Sequence, residues 1–358
     1  MDFGVEGENE VELIGLVDRL EAEGILEKGE WIELLENYGE REREYAARKA
    51  RKIADDIYGK DIYIRGLIEF TNYCKNDCFY CGIRRGNQKA ERYRLSKEQI
   101  LSCCESGWKL GFRTFVLQGG EDGYYADEWY EDVIQSIKEL YPECAITLSI
   151  GERSKKSYER LYQAGAARYL LRHETANEEH YGKLHPKEMS LKNRKKCLME
   201  LKEIGYQTGC GFMVGSPFQS VETLAEDMMF IHQLKPHMVG IGPFIPHEDT
   251  PFAKEPQGNL SLTLFLLSLI RIMEKRVLLP ATTALGTIDP NGRELGILAG
   301  ANVIMPNLSP VNVRKKYMLY DNKICTGEEA AECRGCIDRR MESIGYEIVC
   351  VRGDYKEA

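Results

Sequence analysis

The chain has 358 residues, 43% hydrophobic and 29% charged, enough for one large core with short extensions. Its net charge of −9 and the lack of a basic stripe argue against nucleic acid, and no apolar run nears the ~20 residues that span a bilayer. Twelve cysteines, with an acidic start (Asp2, Glu6, Glu8) unlike a secretory leader, point to metal chemistry in a reducing, cytoplasmic and anaerobic setting rather than to disulfides.

Residues 1–58 are rich in Glu, Lys and Arg, with Leu13, Leu16, Val17 and Leu20 at helical spacing. They are expected to form a helical extension, including a helix over 45–58, that plugs or pads one end of the next domain. From residue 60 β-rich runs alternate with amphipathic ones. The strands are expected at 62–70, 114–118, 145–150, 168–173, 208–214, 238–244, 280–285 and 302–305. Helical patterns lie between them, at 97–110, 129–140, 155–164, 191–204, 223–234 and 260–275. Eight strand–helix steps predict an α/β fold, a complete (β/α)8 barrel over 59–310, with its active site at the C-terminal ends of the strands. Residues 311–358 are a short cysteine-containing extension.

Just after the first strand stand Cys74, Cys78 and Cys81, a C-x3-C-x2-C spacing. Three thiolates suit an iron–sulfur cluster better than tetrahedral zinc, which wants four ligands. A [4Fe–4S] cluster held by three cysteines keeps one iron open to a small molecule. This spacing after a strand is the signature of radical S-adenosylmethionine (SAM) enzymes, and its alternative is a zinc knuckle or three core cysteines.

The other candidates close later strands. Tyr80 sits between two of the cysteines, placed to stack on or hydrogen-bond an adenosyl group. Gln118, Gly119 and Gly120 end strand two, where paired glycines let backbone approach a ligand. Arg172, His173 and Glu174 close an apolar run, a costly arrangement unless paired or ligand-bound. Arg172 is the expected anchor for a substrate anion, and Glu174 a contact for SAM. Arg194 is a candidate for the SAM carboxylate, and Met238 begins an apolar wall suited to adenine. Thr282 and Thr283 offer two hydroxyls to an anion, although threonine is also favoured by strands. Met305 brings a thioether near the cavity. Beyond the barrel follow Tyr317 and Tyr320, then Cys325, Cys333 and Cys336, a second set of three thiolates with Cys350 as a distant fourth. They would suit a [2Fe–2S] or a [4Fe–4S] cluster. The remaining cysteines at 103, 104, 144, 197 and 210 read as core residues.

Long blocks carry a resemblance: Ile68–Cys74, Tyr80–Arg85, Arg168–Asn177, and the stretches 238–251, 280–287 and 301–307. They resemble the HydE family of radical SAM maturases of [FeFe]-hydrogenase, related to biotin synthase and methylornithine synthase. The resemblance implies that Tyr80, Gln118, Gly119, Glu174, Arg194 and Met238 surround SAM. It implies a substrate cavity lined by Arg172, Thr282, Thr283, Met305 and Tyr317, with Tyr320 and Arg172 nearest the chemistry. It further implies a variable second cluster at Cys325, Cys333 and Cys336. The implied activity is reductive SAM cleavage and action on a cysteine-bound Fe(CO)2CN-type precursor during assembly of the 2Fe subcluster. The implied partners are the maturases HydG and HydF and an electron donor such as ferredoxin or flavodoxin. The enzymatic rival is a methylornithine synthase-like mutase acting on an amino acid. Biotin synthase is disfavoured, since Cys144 and Cys210 fall out of register with the interior. A non-enzymatic iron–sulfur carrier would need neither the paired glycines nor Glu174.

Overall fold

The computed structural model describes residues 5–324 and 331–357. The first elements are α1 (Val5–Glu23), α2 (Lys28–Asn37), α3 (Glu40–Tyr58), β1 (Asp61–Ile64), β2 (Gly66–Thr71), α4 (Lys97–Lys109), β3 (Thr114–Gly119) and α5 (Asp127–Leu140). There follow β4 (Ala145–Ser149), α6 (Lys155–Ala164), β5 (Arg168–Leu170), α7 (Glu178–Leu184), α8 (Leu191–Ile204), β6 (Gln207–Cys210), β7 (Met213–Val214) and α9 (Val221–Leu234). The last are β8 (Met238–Val239), β9 (Gly242–Pro243), α10 (Leu260–Met273), α11 (Thr283–Ile288), α12 (Gly292–Leu298), β10 (Val303–Ile304), α13 (Val311–Arg314), α14 (Arg334–Ser343) and β11 (Glu347–Val349).

Polar caps set where the helices begin. Ser96, Ser154, Ser190 and Ser220 each accept an amide three residues on, opening α4, α6, α8 and α9; Asn177 and Asn259 do so for α7 and α10. Each cap satisfies an amide that the first helical turn leaves unpaired. Gly165 and Gly205 end α6 and α8 in the left-handed conformation.

β2, β3, β4, β5, β6 and β8 form one six-stranded sheet in that order, with every pairing parallel. β2 is buried along its whole length, as a parallel sheet covered by helices requires. β1 lies between β10 and β11, and β7 pairs with β9. Single parallel bridges join Met238 to Leu278, Pro280 to Val303 and Leu67 to Asn307. The chain is thus a parallel α/β fold of the TIM-barrel type.

Several expected strands are shorter or broken. The run at 62–70 divides at Arg65, between β1 and β2. The run at 208–214 is interrupted at Gly211 (φ 151°), where a Cβ would lie 2.0 Å from the Gly240 carbonyl oxygen. That at 238–244 splits into β8 and β9 around Gly240 and Ile241, and that at 168–173 pairs only over β5. The strand expected at 280–285 is corrected. Only Pro280 bridges, Thr282 stands at the N-cap, and α11 begins at Thr283.

The N-terminal helices pad the flank of the domain, with α3 packed along α10 and α2 against α9. Arg51 Nη1 fastens α3 by donating to the carbonyls of Ile297 (2.6 Å) and Ala301 (3.0 Å). The N-terminal ends of the strands are covered instead by the C-terminal tail. There the buried Arg168 donates to the Arg352 carbonyl and pairs with Asp354. The opposite, C-terminal ends are left to the loops that carry the candidate residues.

Candidate functional site

At the C-terminal ends of the strands lies a cavity of about 340 Å³. Cys74, Cys78 and Cys81 line it from the irregular segment after β2. Backbone hydrogen bonds to separate elements fix this segment. Lys75 N donates to the Glu121 carbonyl (2.9 Å), Phe79 N to Leu184 (3.0 Å) and Gly82 N to Leu319 (2.9 Å). Arg92 gathers the carbonyls of Asn72, Ile83, Arg84 and Asn87 around its guanidinium. Gly120 is required opposite: a Cβ there would lie 2.2 Å from the Tyr73 carbonyl oxygen and 2.8 Å from the Cys74 Cβ.

Burial pushes the Cys81 thiol up to about 12, with the charge of Cys74 adding to it. Burial raises Cys74 and, further, Cys78. Three thiolates crowded on one half-buried cavity wall are unstable by themselves, and iron cations relieve both the desolvation and the mutual repulsion. The donor set therefore fits an iron–sulfur cluster with one iron free of protein ligands.

Tyr80 lines the same cavity. So do Gln118 and Gly119 at the end of β3. Glu174 follows β5 with φ 66°, a left-handed conformation held by the hydrogen bond its backbone N–H donates to the Gly211 carbonyl (3.0 Å). Its carboxylate is 3.1 Å from Arg172 Nη2, so the two charges that close the apolar run are paired with each other. Arg194, on the first turn of α8, is buried beside two carboxylates: its Nε is 2.7 Å from Glu152 and its Nη2 3.9 Å from Glu121. Gly151 (φ 78°) makes room for Glu121, since a Cβ there would lie 1.9 Å from the Glu121 Cγ.

The far wall comes from the last third of the chain. Thr282, Thr283, Met305, Tyr317 and Tyr320 all face the cavity. Among the described residues, Thr282 Oγ1 and Arg172 Nε are buried without a hydrogen-bond partner. Buried donors left open toward a cavity are suited to the oxygens of a ligand.

One expectation changes. Met238 does not reach this cavity. It opens β8 near the other end of the barrel, 2.9 Å from Arg65 Nη1, among Tyr58, Tyr63, Leu278 and Val303. The cavity begins two residues later, at Gly240, because each strand residue adds about 3.3 Å of rise. Of the C-terminal trio, Cys333 and Cys336 lie side by side, their Cα atoms 5.2 Å apart. Cys325 lies outside the described residues, and Cys350 is exposed beside Arg334. His173, the middle of the charged triplet, turns away to Asp227 (3.3 Å), and burial lowers its pKa to about 3. The cysteines read as core, including Cys144 and Cys210, are all buried and do not line the cavity.

Sequence inspection missed Glu69 and Lys323, which form a buried ion pair in the cavity wall. Asn307 Nδ2 donates to the second Glu69 oxygen (2.8 Å), and Lys323 also reaches the Tyr317 carbonyl (3.0 Å). A lone acid inside the apolar run Leu67–Phe70 was the available signal for Glu69; Lys323 carried none.

Residues 68–231 match the family model described as the Radical SAM superfamily. The chain is 46% identical over 298 residues to the [FeFe] hydrogenase maturase subunit HydE of Thermotoga maritima, covering 82% of this chain and 85% of that protein. It is 30% identical over 309 residues to the 3-methylornithine synthase of Methanosarcina barkeri, covering 86% of this chain and 85% of that one. Among solved structures it resembles methylornithine synthase with a TM-score of 0.82 at 27% identity, over 93% of this chain and 97% of the other. Similarity of this extent, together with three cysteines meeting in one cavity at the strand ends, makes the chain a radical SAM enzyme of the family of the [FeFe]-hydrogenase maturase HydE.

Proposed function

We propose that this chain holds a [4Fe–4S] cluster through Cys74, Cys78 and Cys81, cleaves SAM, and acts on a cysteine-bound Fe(CO)2CN-type precursor in building the 2Fe subcluster of [FeFe]-hydrogenase. The observation that carries this is a single cavity lined both by the three cysteines and by the open donors of Arg172 and Thr282. At about 340 Å³ it falls within the range of small-molecule sites. The chemistry supplied there, when cluster and SAM are bound, is one-electron cleavage of SAM to a 5′-deoxyadenosyl radical.

The chain's own residues bind, orient and exclude. Arg194, held by Glu152, offers a fixed cation to the SAM carboxylate, and Glu174 with the Gly119–Gly120 backbone faces the SAM amino group. Arg172, Thr282 and Thr283 receive the anionic end of the substrate, beside Met305. Tyr317, Leu319 and Tyr320 cross the mouth and keep water out. Tyr320 is the side chain we assign nearest the reacting atoms.

The same reading makes the barrel complete, with the bridges at Leu278, Pro280 and Asn307 carrying the parallel pairing back to β2. It divides the chain into a helical extension (1–58), the barrel (59–310) and a C-terminal extension (311–358). The proposed partners are HydG, HydF and a ferredoxin or flavodoxin in the cytoplasm; no described helix is long and apolar enough to cross a membrane. A second, peripheral cluster of [2Fe–2S] or [4Fe–4S] type would form at Cys325, Cys333 and Cys336. Amino-acid rearrangement is the second reading, favoured by 30% identity to a 3-methylornithine synthase.

Anaerobic reconstitution with iron and sulfide, then EPR of the reduced protein with and without SAM, tests the reading. A four-iron signal that changes on adding SAM is expected; a signal indifferent to SAM overturns it. Lysine added to the reduced enzyme separates the two readings, because only the mutase would consume it. Cys333→Ala is expected to leave 5′-deoxyadenosine formation at the level of the unmodified protein, since Cys333 lies in the C-terminal extension and does not line the cavity. Loss of cleavage in that variant would undo the division into catalytic and peripheral sites.

A further inference from the structure

Three contacts join the loop of the cluster cysteines to one short segment from the other side of the mouth. Phe79 N donates to the Leu184 carbonyl (3.0 Å), the Tyr80 hydroxyl lies 3.1 Å from His185 Nε2, and Cys78 Sγ lies 3.7 Å from Met189 Sδ. The segment is stiff for local reasons. Pro186 follows the end of α7 and bars a further helical turn, so His185 leaves the helix in an extended conformation (φ −128°). Its imidazole is stacked on the Tyr181 ring, centroids 3.9 Å apart at 24°. Its Nδ1 is 3.0 Å from the Tyr181 carbonyl oxygen, which can only accept, so Nδ1 carries the proton. Nε2 is then a bare acceptor, and the Tyr80 hydroxyl donates to it.

We propose that His185 is a positioning residue: it lies outside the cavity lining, yet it sets the orientation of the Tyr80 ring, and through that ring the affinity for SAM beside the cluster. This rests on the assignment of the cavity to SAM. Tyr80 sits between Cys78 and Cys81, and rotation about its side-chain bonds is the main freedom left to the ring once Phe79 N is tied to Leu184. A hydroxyl–imidazole bond to a ring that is itself stacked and hydrogen-bonded removes that freedom.

The test uses the full chain, reconstituted anaerobically, as Tyr80→Phe, His185→Phe, His185→Gln and the Tyr80→Phe/His185→Phe double variant. The readouts are iron and sulfide content and the SAM dissociation constant from EPR titration. Each Phe variant is expected to keep its iron and to bind SAM about tenfold more weakly, the effect of one buried hydrogen bond. The double variant should be no weaker than either single one, and His185→Gln, whose amide oxygen can accept the hydroxyl, should regain most of the affinity. Equal SAM affinity in Tyr80→Phe and the unmodified protein overturns the proposal, and so does a double variant that loses the sum of both effects. Tyr80→Phe removes a single hydroxyl, so it remains decisive even where His185→Phe fails to fold. If the unmodified protein ignores SAM, the functional reading falls and takes this proposal with it; if it responds and the variants match it, this proposal falls alone.

Discussion

Cys78→Ala protein will purify folded, fail to retain a near-stoichiometric four-iron cluster, and form no 5′-deoxyadenosine above background. The fold survives because the backbone of the cysteine loop is tied independently of this side chain. Cys81 N bonds the Cys78 carbonyl, Phe79 N bonds Leu184, and Arg92 holds four carbonyls. Removing one small sulfur should cost on the order of 1 kcal/mol of stability. The cluster is lost because, among the described residues, only three cysteines line this cavity, and none of the buried ones at 103, 104, 144, 197 and 210 can take over. Iron and sulfide analysis, with chromatography of the SAM products, reads the result. Full iron content in Cys78→Ala would mean that this residue is not a ligand.

Glu69→Ala is expected to cost about 3–5 kcal/mol, the usual penalty for stranding one member of a buried ion pair. The side chains of Glu69 and Lys323 are 0% and 5% exposed. Without Glu69 the ammonium would keep the Tyr317 carbonyl, 3.0 Å away, which accepts but carries no charge. The double replacement Glu69→Met/Lys323→Met should recover most of the loss, because two apolar side chains of similar length leave no charge to desolvate. Denaturant midpoints of the single and double variants check this. A single-variant cost under about 1 kcal/mol would show that the pair behaves as an exposed one. The pair also fixes the mouth of the cavity, since Lys323 joins the segment bearing Tyr317 and Tyr320 to the end of β2. SAM cleavage should therefore fall along with stability in Glu69→Ala.

Much of the site was legible because its signals are local. A C-x3-C-x2-C spacing, a Gly119–Gly120 pair and a charged triplet after an apolar run each occupy a few consecutive residues. The strand-end candidates from Tyr80 to Tyr320 meet in one cavity, apart from His173 and Met238. Met238 failed because residue type says nothing about depth: a thioether suits adenine at the top of a strand and packs on Arg65 at the bottom. Thr283 faces the cavity as expected, but from the first position of a helix, because threonine's strand preference is weak enough for tertiary context to override. The C-terminal cysteines show the same limit. Their spacing fits a cluster, and a C-x2-C pair entering a helix also brings two sulfurs within reach of each other.

The amino-acid sequence by itself determined the alternation of strands and helices, the three closely spaced cysteines and the strand ends at which they meet the cavity, because hydrophobic period, cap residues and cysteine spacing act over a handful of neighbours. Only the tertiary structure decided that Glu69 meets Lys323 across 254 residues, that Tyr80 meets His185 across 105, and that Met238 lies beneath the cavity. Those outcomes depend on strand register and on loops meeting above the sheet, and no local pattern encodes a distance between residues that only folding brings together.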